Sequence, residues 1–215
     1  MSEQKQFGQF VGMVVQNLPE LTTGNMQSWI GNPKGLQAIL AKLVEDRFTN
    51  NHDGTITFTL PPTAGTTGEQ WIARLEKAGK RLSDEAKFLL RSESFKPTRG
   101  MAYQVTVLKG ELFSDENRIT RKIRAEAKKR KLSDLPAEAA CLIREFFSDE
   151  EIKAMGLWYL VVMHEPIKGS GGGPGLLGIL RLGVGRWLHA VWDDLDRRWL
   201  RETGFVFGSA SCPQS

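Results

Sequence analysis

Apolar residues recur at helical spacing through the first part of the chain and at strand spacing through the last. Phe7, Phe10, Val11, Val14, Val15 and Leu18 fall at the i, i+3, i+4, i+7 positions of one stripe, and Pro19 marks where that helix must stop. A shorter helix carries Met26, Trp29 and Ile30. Asn32 before Pro33 reads as a side-chain cap followed by the residue suited to the first helical position, and Leu36, Ile39, Leu40 and Leu43 give a third stripe. Asn51-His52-Asp53-Gly54 is a turn signal, after which Ile56, Phe58 and Leu60 alternate with threonine as a half-buried strand does. Pro-Pro-Thr-Ala-Gly at residues 61–65 interrupts both periods and reads as a linker.

After it, Thr66 and Glu69 have the spacing of a capping box ahead of Trp71, Ile72 and Leu75, with Gly79 as the C-terminal cap. Ser83-Asp84-Glu85 opens a helix with Ala86, Leu89 and Leu90, and Tyr103, Val105 and Val107 then alternate as a strand. Ser114-Asp115-Glu116 is expected to cap a long basic helix reaching about Lys131. Asp134 and Pro136 start another helix with Ala139, Ala140, Ile143 and Phe147, and Ser148 with Glu151 forms a second capping box before Gly156. Residues 157–163 are a continuous apolar run suited to a central strand, and residues 176–182, 186–193 and 197–207 continue as strands joined by short turns. The pattern predicts an α+β fold. It has a helical segment at 1–60, a linker at 61–65, an α+β domain at 66–209 and a tail at 210–215. Helices cover one face of a mainly antiparallel sheet of about five strands.

Composition narrows the class without naming a function. Of 215 residues, 40% are hydrophobic and 25% charged, the range of folded globular chains. No apolar run approaches the roughly 20 residues of a membrane-spanning helix, so no membrane partner is expected. The first residues lack a basic start and a continuous apolar stretch, because Gly8, Gln9 and Gly12 break it. A cytoplasmic location is therefore expected. Cys141 and Cys212 alone build neither a metal cage nor a disulfide framework.

Three stretches carry a resemblance: residues 65–72 (Gly-Thr-Thr-Gly-Glu-Gln-Trp-Ile), Val107-Leu108-Lys109-Gly110 with residues 119–127, and residues 156–158 through His164-Glu165-Pro166-Ile167. Over residues 65–209 the chain resembles uncharacterised predicted proteins from environmental bacterial genomes, and the likeness extends to residues 26–33. The resemblance implies a bacterial, cytoplasmic protein in two parts; it transfers no ligand and no catalytic residue.

The familiar chemistries find little purchase. The glycine-rich residues 169–175 lack the Lys and the following helix that a phosphate loop requires, and read as a flexible hairpin. His52, His164 and His189 show no metal-ligand spacing, and no cofactor is expected. Cys141 sits among Ala140, Leu142 and Ile143 as inert packing, and no GxSxG elbow exists. An enzyme would need dispersed residues that no motif marks. Trp187, Trp192 and Trp199 lie among Arg181, Arg186, Arg197, Arg198 and Arg201, a mixture that stacks on bases, binds sugars or anchors interfaces. Trp187 and Trp192 face opposite sides of a strand, so the tryptophans are read mainly as packing the sheet against its helices.

One segment stands apart. Residues 118–131 hold eight cations against the single acid Glu126, a net +7 in a chain of +4, which leaves the remainder at −3. On a helix, Ile119, Ile123 and Ala127 point inward, while Arg121, Arg124, Lys128 and Lys131 recur along the opposite side as a basic ridge. This favours non-sequence-specific binding of nucleic acid, or another anionic polymer, through these four residues. The alternative is a protein-interaction module using the N-terminal helices or the Trp-rich sheet face. The bland reading of the ridge is a solvated face whose cations pair with acids elsewhere.

Overall fold

The structure, a computed structural model, describes residues 22–35, 47–182 and 185–209, with isolated positions 8, 12 and 16. The chain divides into two compact units between Asp46 and Arg47. In the first unit α1 (Thr23–Ile30) is the expected short helix, and Asn32 Oδ1 accepts from the Gly35 N–H at 3.0 Å. The stripes expected over residues 7–18 and 36–43 lie largely outside the described residues.

The second unit is built on one nine-stranded sheet. Its strands are β1 (Thr49–Asn50), β2 (Ile56–Thr59), β3 (Arg81–Leu82), β4 (Gln104–Lys109), β5 (Tyr159–Val162), β6 (Ile167–Lys168), β7 (Pro174–Leu182), β8 (Gly185–Trp192) and β9 (Thr203–Gly208). The order is β1-β2-β4-β9-β5-β7-β8-β3, with β6 paired to β7. Neighbours are antiparallel except β5 with β9 and β3 with β8, which are parallel. The α+β class stands, but the sheet is larger than about five strands and mixed. The expected meander fails at its last step. β9 does not return beside β8; it inserts between β4 and β5, where all six of its residues are buried. A strand buried on both faces carries no alternation from which its neighbours could be read.

Helices lie on both faces of the sheet, not one. Val107, Leu160, Ile179, Leu188 and Val206 pack with Trp71 and Leu75 of α2 (Gly68–Lys77), Leu89 of α3 (Asp84–Arg91), Ile143 of α5 (Glu138–Phe146) and Ile152 of α6 (Asp149–Ala154). Their strand neighbours Leu108, Val161, Val191, Phe205 and Phe207 point the other way, against Ile123 and Ala127 of α4 (Thr120–Lys129). The basic helix is therefore the cover of the second face, because an apolar sheet face left bare would cost about 25 cal/mol for every Å².

Local signals are mostly met, some shifted by a residue. Thr67, not Thr66, caps α2, with Gln70 completing the reciprocal pair, and Gly79 follows with φ +69°. Ser83 caps α3, and Ser148 with Glu151 forms the expected box at α6. Residues 61–65 do not separate two units. β2 just before them pairs with β4, Thr63 N–H donates to the Met101 carbonyl, and Ala64 bridges Arg99. Of residues 197–207, the first part is not strand but a loop packed on the start of α4.

Candidate nucleic-acid interface

The helix that carries the basic segment begins later than its sequence suggests. Residues 110–112 form a 3₁₀ turn, and α4 starts at Thr120 after Ile119, which offers no side-chain cap. Two of its first free N–H groups are satisfied from far along the chain, Arg121 N–H by the Leu195 carbonyl at 3.0 Å and Thr120 N–H by the Arg197 carbonyl at 3.3 Å. Trp199 Nε1–H donates to Thr120 Oγ1 at 3.0 Å and fixes the same corner. At the other end Leu132 N–H reaches back to the Ala127 carbonyl and Lys131 takes φ 59°, the left-handed turn that stops a helix. Lys131 thus lies beyond α4 rather than on its ridge.

The ridge is also not the free row of cations that spacing implies. Arg121 pairs with Asp196. Arg124 reaches Asp193 at 3.0 Å and Asp134 at 3.5 Å, and its side chain is only 24% exposed. Arg130 bonds Glu126 and Asp53, both at 2.8 Å, while Asp53 is held below the usual carboxylate range by hydrogen bonds from Thr55 and then by Arg130. Arg118 is buried, donating to the Gly110 and Phe113 carbonyls and to Asp115. All four arginines of the segment are tied down. Five carboxylates from outside it, Asp53, Asp115, Asp134, Asp193 and Asp196, reduce its +7 to +2.

What remains is lysine. Lys122, Lys128 and Lys131 are exposed and make no ion pair with any described residue; Lys129 is exposed and 3.8 Å from Glu126. Beside them, the loop before α4 and the helix itself enclose a shallow cleft of about 340 Å³ lined by Phe113, Ser114, Asn117, Lys122, Glu126 and Lys129. Of the four residues expected to bind, Lys128 and Lys131 stay free, and Arg121 and Arg124 do not. Lys122 and Lys129 were missed because they sit on a neighbouring strip of the helix, and only the fold of residues 112–117 makes that strip one wall of a cleft.

The other candidate chemistry resolves into structure. His164 is buried, its Nδ1–H donating to the Glu165 carbonyl at 2.7 Å and its Nε2 accepting from Leu177 N–H at 2.8 Å; burial lowers its pKa to about 4. Burial pushes the Cys141 thiol up, away from reactivity, and Cys212 lies outside the described residues. In the glycine-rich hairpin, the Gly169 and Gly172 N–H groups bond within the loop, and Ser170 donates to Glu85. A carboxylate already holds the place a phosphate would need. Among the described residues no cluster of His, Cys, Asp and Glu is placed to hold a metal ion, and no helix is long and apolar enough to cross a membrane. No family model matches the chain, and none of the curated proteins or solved structures compared with it does so either.

Proposed function

We propose that the protein binds nucleic acid, or a polyanion of similar charge spacing, weakly and without sequence preference on the outer side of α4. The observation that carries this reading is the set of lysines left over after internal pairing, Lys122, Lys128 and Lys131, beside a cleft that Lys122 and Lys129 flank. Lysine is a point charge on a mobile stem and suits phosphate contact without base readout. The bacterial cytoplasm is the setting that goes with such a role. Three or four phosphate contacts on duplex DNA imply an affinity that falls roughly a hundred-fold between about 50 and 200 mM salt. The test is an electrophoretic shift of single- and double-stranded DNA and RNA by the full chain. A shift at about 50 mM salt that disappears in the Lys122→Gln, Lys128→Gln, Lys131→Gln triple variant, and survives Arg121→Gln with less than about two-fold change, is the expected result. No shift with the parent protein at that salt sinks the reading.

A second reading has one observation behind it. Met26 and Ile30, four residues apart on one side of α1, are both exposed, which is the pattern of a helix that docks on another protein. Light scattering of the full chain and of a form lacking residues 1–46 tests the self-associating version; identical monomer masses would remove it.

A further inference from the structure

The sheet face that α4 covers extends beyond the helix, and there it is set with polar tips that have no partner. Strand register lines up Thr203 of β9, Tyr159 of β5, Leu180 of β7, Trp187 of β8 and Arg81 of β3 in one row across that face. In the next row Val161 meets Gly178, and Gly178 meets His189. Gly178 lies in the middle of a strand, where glycine weakens a sheet unless something must come close. A Cβ there would lie 2.6 Å from both Cε2 and Oη of Tyr159. The phenol therefore lies against β7 in the gap that glycine leaves, and the register sets His189 of β8 directly opposite that glycine.

Tyr159 Oη, His189 Nδ1 and Trp187 Nε1 are all shut off from solvent with no hydrogen-bond partner among the described residues. A buried polar group without a hydrogen-bond partner is costly in a folded protein, so three on one patch of sheet is a cost that a ligand would relieve. Two guanidiniums flank them. Arg81 stands 5.7 Å from the centre of the Trp187 ring, and Arg197 stands 4.6 Å from the centre of the Trp199 ring, which itself packs against Tyr159. Neither arginine pairs with a carboxylate among the described residues. The Arg197 charge is felt at both neighbours. Burial raises the Tyr159 phenol with Arg197 opposing it, and burial lowers the His189 imidazole with Arg197 adding to it.

The tips have one chemical character. Trp187 Nε1–H and both arginines only donate, the protonated Tyr159 phenol donates, and a neutral His189 donates from Nδ1 in one tautomer. Such a set is complemented by acceptor oxygens carrying negative charge, and the half-buried rings of Tyr159 and Trp187 with Leu180 offer a flat apolar bed beside them. We propose that this patch is a binding site for a small organic oxyanion, a carboxylate or phosphate monoester on a flat apolar body, held by Tyr159, Trp187, His189 and Arg197. The site is separate from the α4 lysines and does not depend on nucleic-acid binding.

Titration calorimetry of the full chain with benzoate, phenyl phosphate and neutral benzyl alcohol tests it. Saturable single-site binding of at least one of the two anions is expected, with benzyl alcohol about ten-fold weaker or worse. Binding of benzoate alone identifies a carboxylate site, of phenyl phosphate alone a phosphate site, and of both the shared oxyanion chemistry. Arg197→Gln, at an exposed position, should weaken binding about ten-fold or more while the urea midpoint of the variant stays near that of the parent, and Tyr159→Phe should weaken it about five-fold. The Lys122→Gln, Lys128→Gln, Lys131→Gln variant should bind these small anions as the parent does. No saturable heat from either anion at about 10 mM, or an Arg197→Gln protein that binds as tightly as the parent, overturns the proposal.

Discussion

Arg124→Gln separates a structural cation from a surface one. In the folded chain Arg124 Nη2 lies 3.0 Å from Asp193 Oδ2, and the Asp193 side chain is 7% exposed. The other Asp193 oxygen has no hydrogen-bond partner among the described residues. Removing the guanidinium strands that carboxylate in a nearly dry site with one oxygen already unsatisfied. Breaking a fully buried pair from one side costs about 3–5 kcal/mol, and the 24% exposure of Arg124 leaves water some access, so about 2 kcal/mol is expected. Asp134, at 3.5 Å and 45% exposed, adds little. Arg121 is the internal control. Its partner Asp196 and its own side chain are both more than half exposed, so Arg121→Gln should change stability by less than about 0.5 kcal/mol. Urea denaturation followed by tryptophan fluorescence reads both values, and a drop in melting temperature of roughly 4–8 °C should accompany the first only. Adding Asp193→Asn to Arg124→Gln should recover about 1 kcal/mol or more, since the stranded charge is gone. Equal stabilities for the Arg121 and Arg124 variants would refute the view that Arg124 holds α4 to the end of β8.

Two further outcomes follow from burial. The His164 pKa lies at about 4 in the folded chain against 6.5 when unperturbed, so the unfolded chain takes up its proton first as pH falls. The stability associated with neutral His164 is complete above pH 6.5 and is lost at roughly 1.4 kcal/mol per pH unit down to about pH 4, about 3 kcal/mol in all; an unchanged slope in His164→Gln would contradict it. A fragment of residues 47–215 should unfold cooperatively, whereas one of residues 66–215 loses the buried Ile56, Phe58 and Leu60 and should lose roughly 5 kcal/mol or more, exposing β4 as a sheet edge. Equal denaturation midpoints for the two fragments would place the division at residues 61–65 after all.

What the sequence determined by itself was local. The 3.6 and 2.0 periods, a continuous apolar run and local cap and turn signals located α2, α3, α5, α6, β2, β4, β5, β7 and β8, because these features depend on residues a few positions apart. Pairing order was not readable. β9 joins β4 and β5 across about 95 and 45 residues of chain, and its wholly buried pattern is the same whichever neighbours it has. The charge of the 118–131 segment was legible as a sum, but its meaning was set by Asp53, Asp193 and Asp196, brought to it from 69 to 77 residues away. Apolar residues on both sheet faces make the basic helix a structural cover first, with its arginines as fasteners. Tyr159, Gly178 and His189 share no local pattern at all. Only the register of three strands places a phenol in the gap of a glycine beside an imidazole, since neighbouring strands lie about 4.7–4.9 Å apart whatever their separation along the chain.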